Sequence, residues 1–280
     1  MIKEERNVKL AILTPSYINS NLRSKYAKTC FDSIQVLSTY DHIIINDVHP
    51  FSKYVPKSIK SLIAPFKYNQ MAENIYMGQN ITLINRIRDG SASALLDGVL
   101  YARKLKAKYV FINLDDHIYI PQIADLVKHS IDAFSCNNSL LMVRFSGYPL
   151  IYNDKIPIVC REDKIKFDSI SLIPTRKHDY TLWAATFSQN SIDNNYWPIA
   201  LWFCIYQVDF LEKILTFCDI NKYKSLGLVE SFYKKPANWK RLLDEVSGQF
   251  GYINMQFGGF EMHRNKNWKN MINEPNEPIY

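Results

Sequence analysis

Apolar and polar positions along this chain sort into short buried runs and longer stretches with helical spacing. Val8 to Thr14 (Val-Lys-Leu-Ala-Ile-Leu-Thr) reads as a strand that stops at Pro15-Ser16-Tyr17, because proline cannot donate to a central ladder. Residues 18–23 are mostly polar and read as a loop. Ser24 then suits the N-cap of a helix to Leu37, with Tyr26, Cys30, Ile34 and Leu37 on one face. Asp41 to Asp47 (Asp-His-Ile-Ile-Ile-Asn-Asp) is a second buried strand, ending in a carboxylate before His49-Pro50. Residues 51–78, with Pro56 and Pro65, read as a loop with a short helix, and Asn80 to Asn85 as a third strand. A helix from Ser91 to Leu105 carries Leu95, Val99 and Ala102 at helical spacing. Tyr109 to Leu114 is a fourth strand, and Pro121 opens a helix to Phe134.

The order β-α-β-(loop)-β-α-β-α predicts a parallel, doubly wound α/β sheet with right-handed crossovers. Beyond residue 138 the pattern becomes mixed. Leu140–Phe145, Ile156–Cys160 and Thr181–Phe187 read as short strands, and Asp209–Phe217 and Trp239–Val246 as helices. Residues 1–138 are therefore expected to form a nucleotide-binding half, 139–272 a second half of the same domain, and 273–280 a loose tail. A length of 280 residues suits one large α/β domain of this kind.

Composition adds bounds. The net charge is +7, with the basic residues scattered. No arginine-rich run or zinc-finger spacing is present, so nucleic acid is not an expected partner. A phosphorylated small molecule fits that charge, and the basic, aromatic surface also suits peripheral contact with an anionic membrane. The five cysteines (Cys30, Cys136, Cys160, Cys204 and Cys218) are odd in number and lack CxxC spacing, which favours free thiols in a reducing cytoplasm. The charged start, Met-Ile-Lys-Glu-Glu-Arg-Asn, is unlike a signal peptide, and no apolar run is long enough to span a bilayer.

Three stretches carry candidate chemistry. The fourth strand runs straight into Asp115-Asp116-His117, two carboxylates and an imidazole at a strand end. Such a tip suits Mg²⁺ or Mn²⁺ held against phosphates; the same carboxylates would also suit a helix cap. Asp47, at the end of the second strand, can accept hydrogen bonds from a ribose or base edge, or serve as a turn residue. Arg86 and Arg88 precede Gly90, Ser91 and Ala92 at a helix start, which favours anions; the glycine spacing of a P-loop or dinucleotide fingerprint is absent.

Taken in order, Thr14-Pro15-Ser16-Tyr17, Asp47, the segment 88–103 (Arg-Asp-Gly-Ser-Ala-Ser-Ala-Leu-Leu-Asp-Gly-Val-Leu-Tyr-Ala-Arg) and Asp115-Asp116-His117 form a pattern. It resembles the nucleotide-sugar glycosyltransferases of the GT-A fold, family 2 in particular. The resemblance implies a Rossmann-like, mostly parallel central sheet with flanking helices and a mixed acceptor-side half. It implies Thr14, Pro15, Ser16, Tyr17, Asp47, Arg88, Ser91 and Asp115 at the nucleotide. It also implies Asp115, Asp116 and His117, with the late His263, at a divalent metal. The implied activity is transfer of a sugar from a nucleotide-diphosphate sugar, UDP first, to a hydroxyl of an acceptor such as a surface glycan, with inversion as in the family.

The match thins toward the acceptor side. Phe203 to Asp219 occupies the place of a family segment whose arginine is here Gln207, and Glu230-Ser231 stands where the family has Glu-Asp. Glu230 is the candidate base, which would take the acceptor hydroxyl proton; Asp244 and Glu245 compete for the role. Trp183, Trp197, Trp202 and Tyr206 suit a sugar-stacking wall or the core. Two rival functions remain: a non-catalytic nucleotide- or sugar-binding protein, and a sugar nucleotidyltransferase. Residues 14–25 contain no glycine, against the glycine-rich loop of the latter.

Overall fold

The computed structural model describes residues 10–48, 67–87, 89–119, 123–145, 150–153, 156–159, 167–172, 182–187, 199–202, 204–253 and 259–261. The first half runs β1 (Leu10–Ser16), α1 (Asn21–Ser33), β2 (Asp41–Val48), α2 (67–75), β3 (Ile81–Ile87), α3 (Ser91–Lys104), β4 (Tyr109–Ile112), β5 (His117–Tyr119) and α4 (Ile123–Cys136). Then come β6 (Leu140–Phe145), β7 (Leu150–Asn153), β8 (Ile156–Val159), β9 (Phe167–Leu172), β10 (Leu182–Phe187) and β11 (Cys204–Gln207). The chain continues through α5 (Val208–Phe217), α6 (Leu226–Tyr233), α7 (Pro236–Glu245), β12 (Gln249–Ile253) and β13 (Gly259–Glu261).

Among the described residues one nine-stranded sheet has the order β3-β2-β1-β4-β11-β6-β12-β10-β9. The first four strands are parallel. Of the others, β11 and β10 run against the rest, so the expected mostly parallel α/β sheet is present and its second half is mixed. The continuous apolar runs of β1, β2 and β4 follow from burial on both faces. Ala11, Leu13, Ile43, Ile45, Val110 and Ile112 point into a core shared with α3, α5, α6 and α7. Leu10, Ile12, Ile44 and Phe111 point into the opposite core, under α1, α2 and α4. The described cysteines Cys30, Cys136, Cys204 and Cys218 are free, and burial pushes the Cys204 thiol up to about 12. Among the described residues no helix is long and apolar enough to cross a membrane.

Several boundaries differ from the sequence reading. Strand β1 passes through Pro15, which pairs with Ile45 of β2. The carbonyl of Leu13 accepts from Asn113 N–H at 2.8 Å, so odd-numbered backbone groups of β1 face β4. Pro15 therefore points its missing donor to that side, where β4 has already ended at Ile112 and no ladder bond is lost. The cap of α1 is Ser20, whose hydroxyl accepts from Arg23 N–H at 3.2 Å; Ser24 lies inside the helix. The helix ends at Ser33 and a 3₁₀ turn carries Ile34 and Leu37 on into the core. Strand β3 runs past Asn85 to Ile87, so Arg86 lies within it, opposite Asp47. Strands β5, β7, β9, β11, β12 and β13 and helix α6 were not legible as elements, being short or lacking alternation.

Candidate functional site

Because β1, β2 and β4 are parallel neighbours, their C-terminal ends open on one side of the sheet. This is where open α/β sheets place ligands. A cleft of about 300 Å³ lies there, lined by Pro15, Ser16 and Tyr17 after β1, Arg23 of α1, Asp47 of β2, and Ser91 and Ala94 of α3. Leu114, Asp115 and Asp116 after β4, and Ser225, Leu226 and Gly227 at the start of α6, complete the wall. Of the residues read from sequence as nucleotide or metal contacts, Pro15, Ser16, Tyr17, Asp47, Ser91, Asp115 and Asp116 meet in this cleft.

The acidic tip is tightly held. Asp115 Oδ2 accepts from Tyr17 N–H at 2.8 Å and from Ser16 Oγ at 3.0 Å, and Ser16 Oγ also meets the Tyr76 hydroxyl at 2.9 Å. Asp115 Oδ1 accepts from the Arg23 guanidinium at 2.5 Å. The other arm of that guanidinium reaches Asp116 Oδ2 at 3.1 Å, and Asp116 Oδ1 meets His117 Nδ1 at 2.9 Å. Burial, helped by the neighbouring Asp116, pushes the Asp115 carboxyl above its usual range against the pull of Arg23. For Asp116, burial is outweighed by His117 and Arg23, which hold it well below. Arg23 loses hydration, but the two carboxylates more than offset this and hold its pKa above the ordinary value.

Asp47 is also engaged. Its Oδ1 accepts from Arg86 Nε and from Asp89 N–H, each at 3.2 Å, and its Oδ2 from Gly90 N–H at 3.2 Å. Arg86 pairs in turn with Asp97. Two residues on from Gly90, Ala92 N–H donates to Lys224 O at 3.1 Å. Part of this helix start is thus engaged by the protein's own groups, Gly90 N–H by the Asp47 carboxylate and Ala92 N–H by the Lys224 carbonyl. Ser91 Oγ accepts from Leu226 N–H at 3.2 Å, which ties α3 to the start of α6.

Other expected site residues lie elsewhere. Thr14 is buried behind the cleft, its hydroxyl accepting from Asn113 Nδ2 at 2.8 Å. His117 is buried behind Asp116 and 6.0 Å from Trp202, ring to ring. Glu230 does not line the cleft: it is buried in α6 and its Oε1 accepts from Leu201 N–H at 2.6 Å. Gln207, in the place of the family arginine, donates to Leu140 O at 2.7 Å. Glu245 pairs with Lys213, and Asp244 is exposed on α7. Tyr206 is core rather than wall, donating its hydroxyl to Ala200 O at 2.6 Å. Arg88, Trp197 and His263 lie outside the described residues. Arg23, Leu114, Ala94 and residues 225–227 at the start of α6 were missed from sequence.

Among the described residues, no three His, Cys, Asp or Glu side chains converge as ligands for a metal ion. The two carboxylates still fit a hard cation of the kind that takes one or two protein carboxylates and completes its shell with substrate phosphate. His117 Nδ1 meets Asp116 Oδ1, the contact by which an imidazole orients a neighbouring carboxylate.

No family model matches this chain, and no curated protein matches it. Solved structures of S. aureus TarS do. One matches at 12% identity and a TM-score of 0.47, over 90% of this chain and 36% of that one. TarS 1-349 matches at 12% identity and 0.47, over 90% and 60%, and its complex with UDP-GlcNAc at 11% and 0.43, over 90% and 57%. The chain therefore spans between about a third and three fifths of the length of these proteins. At such low identity the site rests on this chain's own geometry.

Proposed function

We propose that the protein transfers a glycosyl unit from a nucleoside-diphosphate sugar, UDP in the first place, to a hydroxyl acceptor such as a surface glycan. The observation that carries this reading is the cleft itself. It gathers the turn after β1, Asp47 and the Asp115-Asp116 tip from distant parts of the chain at the C-terminal edge of parallel strands. In this reading Tyr17 and Asp47 face the nucleoside, while Ser16 and the Tyr17 amide fix Asp115.

Charge argues for a metal partner. Asp47 is paired with Arg86, while among the described lining residues Asp115 and Asp116 share the one guanidinium of Arg23. Two like charges about 4 Å apart repel by about 4 kcal/mol at an effective dielectric near 20. A diphosphate needs that repulsion offset. Mn²⁺ or Mg²⁺ on Asp115 and Asp116 would offset it and stabilise the diphosphate as it leaves. Inversion at the sugar carbon, by analogy with family 2, belongs to the same proposal.

A thermal-shift panel of UDP-, GDP-, CMP- and dTDP-sugars, with and without Mn²⁺, tests the reading. A UDP-sugar at about 100 times its Kd should stabilise the protein by about 2.7 kcal/mol, roughly 5 °C in Tm, and only with Mn²⁺. Asp115→Asn should remove the shift. A panel with no metal-dependent shift for any donor would overturn the proposal. A second reading, a nucleotide-binding protein without turnover, draws on one observation: Glu230, Asp244 and Glu245 all lie outside the cleft lining. Binding of UDP with Mn²⁺ but no donor hydrolysis or transfer would favour it.

A further inference from the structure

Arg23 stands out in the cleft because it belongs to no motif and yet touches both halves of the acidic tip. Its guanidinium spans Asp115 Oδ1 at 2.5 Å and Asp116 Oδ2 at 3.1 Å, while its Nε reaches Tyr17 O at 3.4 Å. The remaining oxygen of each carboxylate is held by a stiffer partner. Asp115 Oδ2 is fixed by a backbone amide and a buried serine, and Asp116 Oδ1 by the buried His117 ring. The two oxygens that Arg23 takes, Oδ1 of Asp115 and Oδ2 of Asp116, are bridged by the two arms of one guanidinium. Arg23 is also the long, flexible partner in the cluster, with 25% of its side chain exposed in the cleft.

We infer that Arg23 is a built-in competitor of the divalent cation: guanidinium and metal claim the same oxygens of Asp115 and Asp116, so the metal binds only as Arg23 lets go. This rests on the proposed metal-dependent reading and adds a control to it. Ser20 caps α1 beside Arg23 and holds its backbone, so release means rotation of the side chain rather than unwinding of the helix. A released guanidinium stays in the cleft, and its planar fork suits the paired oxygens of a diphosphate. Cation and nucleotide would then enter together. By linkage each raises the other's affinity by the same factor.

The test is Mn²⁺ binding to the full chain, followed by the electron paramagnetic resonance signal of free Mn²⁺, first alone and then with UDP. In wild type, Mn²⁺ alone should bind weakly and UDP should tighten it. Arg23→Gln should bind Mn²⁺ alone at least tenfold more tightly than wild type. A merely structural role would lower affinity, and loss of charge alone would leave Arg23→Lys at the wild-type value. Arg23→Lys keeps the charge but gives up the fork and should fall between the two; it carries the comparison if circular dichroism shows Arg23→Gln to be unfolded. Unchanged or weaker Mn²⁺ binding in the variants, with metal-dependent UDP binding intact in wild type, overturns the inference and leaves the proposed function standing. No Mn²⁺ binding by wild type even with UDP overturns both. UDP binding that persists in a chelator and vanishes in Arg23→Gln makes Arg23 a replacement for the metal, which also overturns the inference.

Discussion

Glu230 presents Oε1 to the Leu201 amide at 2.6 Å, and only 7% of the residue is exposed. A carboxylate in that position anchors the segment leading into β11 and lies off the cleft wall. Glu230→Gln should therefore lower stability, because hydrogen bonds to charged groups contribute about 1.5–3 kcal/mol. UDP affinity with Mn²⁺ should stay unchanged and turnover should hold within a few-fold. Calorimetry and donor kinetics check this together. A turnover loss of several orders of magnitude at an unchanged Tm would instead restore Glu230 as the base. The contrast with Asp115 shows what single residues reveal in a sequence. Asp115 follows an apolar strand directly, so its place at a sheet edge was legible before any contact was known. Arg23 sits in a polar stretch with no spacing signal, and its partners lie 92 and 93 residues away. Only tertiary packing brings it to the tip.

The start of α3 shows how an element is positioned. Gly90 has φ +108°, and a Cβ there would come within 2.3 Å of the Lys224 carbonyl oxygen. That carbonyl accepts from Ala92 N–H, while Gly90 N–H donates to Asp47, so one glycine lets β2, α3 and the approach to α6 meet. Gly90→Ala combines a strained backbone, about 1–3 kcal/mol for a non-glycine residue in such a region, with a backbone clash. It should lower Tm and also weaken UDP binding, since Asp47 and the start of α6 line the cleft. Gly227→Ala is the control: a Cβ there meets nothing within 4 Å, so Tm should hold or rise slightly. Normal stability in Gly90→Ala would remove this account of the junction. At this scale the long parallel strands and α3 were legible because their apolar runs or 3.6-residue spacing are strong. The N-terminus of α1 was misplaced because Ser20 and Ser24 are both acceptable caps, and the choice is made by where β1 delivers the chain. The ladder through Pro15 was not legible, since it depends on where the neighbouring strand stops.

For the whole molecule, the central question is whether the change of pattern at residue 138 marks a separable unit. The sheet runs straight across it. Strand β11, from beyond residue 200, inserts antiparallel between β4 and β6, so Val110 and Phe111 pair with Tyr206 and Ile205. On one face α5 packs against α3, and Leu95, Val99, Val110 and Ile112 share a core with Tyr206, Phe210, Leu211 and Trp239. Burying one such aliphatic side chain contributes about 1.5–3 kcal/mol. Losing half the burial of those four alone would cost about 3–6 kcal/mol, against a typical total stability of about 5–15 kcal/mol. The edge of β4 would also lie open, with unpaired backbone groups between apolar side chains. A fragment of residues 1–138 should therefore show no cooperative thermal transition and should aggregate, although it carries Asp47, Asp115, Asp116 and most of the cleft. Calorimetry and gel filtration of the fragment beside the full chain check this. A monomeric fragment with a sharp transition would mean that the first half carries enough core of its own. The cleft wall formed by Ser225 to Gly227 would then be an addition to a self-sufficient nucleotide-binding unit, rather than part of one indivisible fold.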